Sequence, residues 1–71
     1  MELTREQWLE ALKCFYKQCF QFWLNSGCSI EESCSKAKAE AMNVKSYPFS
    51  PKLMPIPNDV RDEFNKIIVS L

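Results

Sequence analysis

The sequence predicts an all-α fold: a small three-helix domain with an ordered, proline-rich extended arm between helices two and three. Three observations carry that expectation. Apolar residues recur at helical spacing in three separate runs. Residues suited to helix capping precede each run. All four prolines, Pro48, Pro51, Pro55 and Pro57, fall between the second run and the third. At 71 residues the chain has material for one domain, residues 1–71. A domain this small buries only about 60% of the surface its unfolded chain exposes, so its core must be used well.

The first helix is expected over about residues 5–26. Thr4 is a good N-cap, and Gln7 three residues on completes a capping box. Asn25-Ser26-Gly27 is a stop signal that uses the one glycine of the chain at the C′ position. At 100° per residue, Ala11, Phe22, Phe15, Trp8, Cys19, Leu12, Trp23, Tyr16, Leu9 and Phe20 share one arc of about 180°. Glu6, Glu10, Lys13, Lys17 and Gln21 cover most of the opposite side. An ordinary surface helix needs a stripe only a little wider than about 100°. The surplus must be hidden by the rest of the chain or by a partner.

The second helix is expected over about residues 30–43, with Ser29 as N-cap and Glu32 as its capping-box partner. Its inward stripe is Ile30, Cys34, Ala37, Ala41 and Val44. The middle of that stripe is small, which favours close approach to the aromatic face of helix one. The arm, residues 44–57, interleaves its prolines with Tyr47, Phe49, Leu53, Met54 and Ile56. Proline lacks an amide donor and pushes the preceding residue towards extended geometry. The last helix is expected over about residues 59–70, capped by Asn58 or Asp59. Its apolar stripe is Val60, Phe64, Ile67, Ile68 and Leu71.

Composition narrows the function. Nine basic residues balance nine acidic ones, so no net charge steers the whole molecule to nucleic acid. The N-terminal residues do not resemble a signal peptide, and no run approaches the roughly 20 apolar residues of a membrane span. A cytoplasmic location follows as the expectation. There is no histidine, so neither a Ser-His nor a Cys-His pair can be built. The acidic pairs Glu31-Glu32 and Asp62-Glu63 suit the positive ends of helix dipoles. Cys14, Cys19, Cys28 and Cys34 contain no C-x-x-C knuckle, and Cys14 and Cys19 lie about 140° apart around one helix. Free thiols, no metal, no cofactor and no enzyme activity are therefore expected.

Two functional readings remain. In the first, the chain is a non-enzymatic protein–protein interaction module. It self-associates and acts by binding or occluding a cytoplasmic partner, for instance as a phage or mobile-element inhibitor of a host system. Its candidate interface is the far end of helix one, Tyr16, Phe20, Trp23 and Leu24, because aromatic anchors typify interface hot spots. In the second reading, the basic and aromatic arm binds a nucleotide or nucleic acid. Lys45 and Lys52 would hold phosphates while Tyr47 and Phe49 stack on bases.

Overall fold

The computed structural model describes residues 3–49 and 53–70. It contains three α-helices: α1, Arg5–Asn25; α2, Ile30–Asn43; and α3, Asn58–Ser70. Among the described residues there is no strand, and no helix is long and apolar enough to cross a membrane.

Local chemistry sets the helix ends. At the start of α1, Thr4 Oγ1 accepts from the Gln7 amide at 3.1 Å, and Gln7 Oε1 accepts from the Thr4 amide at 2.9 Å. Two donors that a helix leaves unpaired are thereby satisfied. Its other end is a Schellman turn. The Cys28 amide donates to Trp23 O and the Gly27 amide to Leu24 O, both at 3.1 Å. This geometry requires a left-handed residue, and Gly27 supplies it at φ +99°. In α2, Ser29 Oγ accepts from the Glu32 amide at 3.1 Å, which is the first half of the expected capping box.

The third helix differs in detail from its expectation. It starts at Asn58, and the Arg61 amide donates to Pro57 O at 3.0 Å. Asn58 and Asp59 therefore lie in the first turn rather than at the cap, where Asp59 still complements the dipole.

Packing begins with α1 and α2, which lie along each other and are joined by only four residues. Ser33, Ala37 and Ala41, one helical turn apart, are all buried in α2, as is Cys19 in α1. The stripe predicted for α2 holds at Ala37 and Ala41 and changes at its edges. Ser33 is buried, Cys34 and Val44 are half-buried, and Ile30 is 70% exposed. Ile30 is one heptad from Ala37 and points into the same stripe by angle. It is exposed because the core does not extend to its end of the helix pair.

The large apolar side chains gather at the opposite end. Trp8, Leu12, Ala41, Val60, Phe64 and Ile68 form the core, and Leu9, Phe15, Tyr16, Tyr47, Met54 and Ile56 pack against it. Arg61 donates from its guanidinium to Val44 O, tying α3 to the end of α2. Arg5 and Glu63 form an exposed ion pair at 3.5 Å, which adds little in water.

The arm between α2 and α3 is not a single stretched segment. The Tyr47 amide donates to Met54 O at 2.9 Å and the Ile56 amide to Lys45 O at 3.2 Å. Ser46 and Pro55 thus face each other in an antiparallel bridge, and the connection doubles back on itself. Pro55 sits between these two bonds, at a position where no amide is needed. Ser50, Pro51 and Lys52 lie outside the described residues, as does Leu71.

Two substitutions test these local arguments. A Cβ on Gly27 would meet nothing within 4 Å, so Gly27→Ala imposes only a conformational cost. We expect a loss of about 1–2 kcal/mol, with Gly27→Asn losing less, by denaturant unfolding monitored by circular dichroism. Ser33 is completely buried and its hydroxyl has no hydrogen-bond partner among the described residues. Ser33→Ala should therefore hold or raise stability by up to about 1 kcal/mol, since it removes an unmet polar group and favours helix. A clear loss would mean that the hydroxyl is satisfied in solution.

Candidate functional site

Tyr16, Phe20, Trp23 and Leu24 are each half-buried, and each of the three aromatics already has a neighbour. The Tyr16 and Phe20 rings stack with centroids 6.4 Å apart and 29° between planes. Tyr16 Oη lies 3.2 Å from Cys34 Sγ on α2. Trp23 meets Phe22 edge-on at 5.1 Å and lies under Lys36, whose Nζ is 4.3 Å from the ring centroid. That Nζ also donates to Cys28 Sγ at 3.6 Å. Lys36 thus covers Trp23 through a cation–π contact. The four residues do not form one open patch. The exposed apolar side chains at this end of the molecule are Phe22 and Ile30, 60% and 70% exposed.

An apolar concavity lies between α1 and α3. Lys13, Tyr16 and Lys17 line it from α1, and Phe64, Ile67 and Ile68 from α3, around about 310 Å³. Its surface is almost wholly apolar apart from the lysine heads, so its chemistry is an apolar slot with a cationic rim. Of the predicted interface residues, only Tyr16 lines it. Lys13 and Lys17 make no ion pair among the described residues. As like charges one turn apart on a helix they repel each other slightly.

The arm residues serve a different purpose. Tyr47 presses edge-on against Trp8 at 5.5 Å and 87°, and Phe49 meets Tyr47 at 5.9 Å and 84°. The Tyr47 ring is thereby committed to the core. Phe49 is 42% exposed, Lys45 is exposed, and Lys52 lies outside the described residues. The shallow recess that Tyr47 and Phe49 share with α1 carries Glu10 and Cys14 rather than lysines. That arrangement does not favour phosphate.

Two weak acids are displaced from their ordinary range. Burial pushes the Tyr16 phenol up to about 12, with further contributions from its hydrogen bond to Cys34 and from the negative thiolate that Cys34 would become. Burial likewise pushes the Cys19 thiol up to about 12, assisted by its hydrogen bond to Glu40 and that carboxylate's charge. A thiol held protonated in this way is a poor nucleophile. All four cysteines are free thiols. Among the described residues, no three His, Cys, Asp or Glu side chains gather as a metal site. Comparison with protein-family models, with curated proteins and with solved structures finds no match.

The displaced acids give a pH dependence. Both groups hold their protons more tightly in the folded state than in the unfolded state, where they ionise near pH 9 and 10. Stability is therefore full below about pH 9 and falls as the pH rises towards 12. Denaturant midpoints at pH 7, 9 and 10.5 should decline over the last two. The decline should be shallower in Tyr16→Phe, which has no phenol to ionise. A flat profile would contradict the burial assigned to both groups.

Proposed function

We propose that this chain is a non-enzymatic protein–protein interaction module that self-associates and acts by binding and occluding a cytoplasmic protein partner. An inhibitor of a host system, carried by a phage or mobile element, is the concrete form of this reading. The observation that supports it is apolar surface beyond what three short helices cover. Ile30, Phe22, Val69 and Leu53 stand 60–83% exposed, while an apolar groove remains open between α1 and α3. Aromatic and aliphatic anchors of this kind are what association buries.

Sedimentation equilibrium on the full chain between 1 µM and 1 mM tests the first half of the proposal, these concentrations spanning the roughly micromolar range of modest interfaces. A mass rising above that of the monomer with concentration is expected. A monomer throughout removes self-association. Pull-downs from the source cell, run with and without nuclease, test the second half. A retained protein is expected, whereas a nucleic acid released by salt and lost in Lys45→Glu would move the function to the arm.

A further inference from the structure

Ile30 and the α1–α3 groove are complementary in shape class and charge, and they lie apart on the same molecule. Ile30 stands 70% exposed on the first turn of α2, followed directly by Glu31 and Glu32, which are exposed as well. The groove is an apolar slot whose rim carries Lys13 and Lys17. None of these four charged side chains makes an ion pair among the described residues. An apolar anchor with two carboxylates thus matches an apolar slot with two ammonium groups.

The match cannot be made within one chain. The groove lies beside residues 13–17 of α1, whereas α2 starts beyond the far end of that helix. The eight residues from Gln18 to Asn25 separate the two by about 12 Å of rigid helix. The turn that joins α1 to α2 is fixed by the Gly27 Schellman bonds. Ile30 therefore cannot fold back into its own groove.

We propose that the α1–α3 groove receives the Ile30–Glu31–Glu32 turn of a second copy of this chain. The proposal rests on the self-association reading above and names its surface. A two-fold axis between groove and turn makes both contacts at once, so the assembly closes as a dimer rather than growing.

Charge reversal tests the pairing at four exposed positions. The double variants Lys13→Glu/Lys17→Glu and Glu31→Lys/Glu32→Lys are each checked for helicity and then examined by sedimentation. Each alone should dimerise at least about tenfold more weakly than the natural chain, because like charges meet at both contacts. Mixed one to one, they should form a heterodimer within about threefold of the natural affinity, since every contact again pairs opposite charges. Ile30→Ser should weaken the natural dimer without altering its dependence on salt. A natural dimer that ignores both reversals, or a mixture that stays monomeric, overturns this pairing and leaves self-association standing. A natural chain that is monomeric at every concentration overturns both. A monomer whose groove lysines are needed to bind a different acidic protein assigns the groove to that partner and overturns the second copy.

Discussion

The close approach of α1 and α2 along Ser33, Ala37 and Ala41 is the constraint on which the rest of this structure depends. These side chains are small and all buried, as is Cys19 on α1, so the two helices can lie close along this seam. Such a seam leaves no room for the aromatic residues of α1, which must turn to its flanks. Trp8 turns to the arm and is met by Tyr47. Tyr16 turns towards α3 while its hydroxyl stays with Cys34. Trp23 remains near the loop and is covered by Lys36. An arc of about 180° is thus shared among three neighbours, each covering a sector of ordinary width. Interiors are close-packed, so a larger residue at Ala37 would push the pair apart rather than be absorbed.

A seam of small residues buries little apolar area, and the hydrophobic stabilisation must come from elsewhere. It comes from Trp8, Leu12, Val60, Phe64 and Ile68, each nearly or fully buried and each contributing about 1.5–3 kcal/mol. All five lie in the half of the molecule that α3 reaches. With 13 residues against the 21 of α1, α3 is too short to cover the whole helix pair. The same shortfall leaves Ile30 in the open, although its position within the stripe of α2 is that of a core residue. The exposed isoleucine and the open groove therefore share one cause, a difference in helix length.

Much of this fold is legible in the sequence because helix ends are set by local chemistry. Thr4 with Gln7, Ser29 with Glu32, and Gly27 each act on atoms within a few residues, so spacing alone reveals them. Features that join distant segments are less visible. The bond from Arg61 to Val44 O crosses 17 residues, and nothing in the pattern around Arg61 marks it. The arm folds back on itself and its Tyr47 meets Trp8, a contact between residues far apart in sequence. At the candidate site, Tyr16 is the one predicted residue that lines the groove. Lys13 and Lys17 look like an ordinary solvated face on a helical wheel, and they become a rim only when Phe64, Ile67 and Ile68 arrive beside them. The exposure of Ile30 is hidden for the same reason. Angular position tells which way a side chain points but not whether anything stands there.

Size then links stability to association. In a chain of this length, hydrophobic gain and conformational entropy nearly cancel, and stability is a small remainder. An isoleucine left in water and two lysines held one turn apart each reduce that remainder slightly. A second copy that buries the isoleucine and neutralises the lysines returns both contributions without any change in the fold. Were the proposed dimer to form, folding and assembly would be parts of one equilibrium, and the apparent stability would depend on protein concentration. A binding partner that occupies the same groove draws on the same free energy and competes with the dimer. The apolar surplus of α1, first seen as a surface too broad for its neighbours, thus reaches solvent chiefly through Phe22 at the edge of its arc. The apolar surface left open is instead the junction that α1 makes with a short third helix, together with the uncovered first turn of the second.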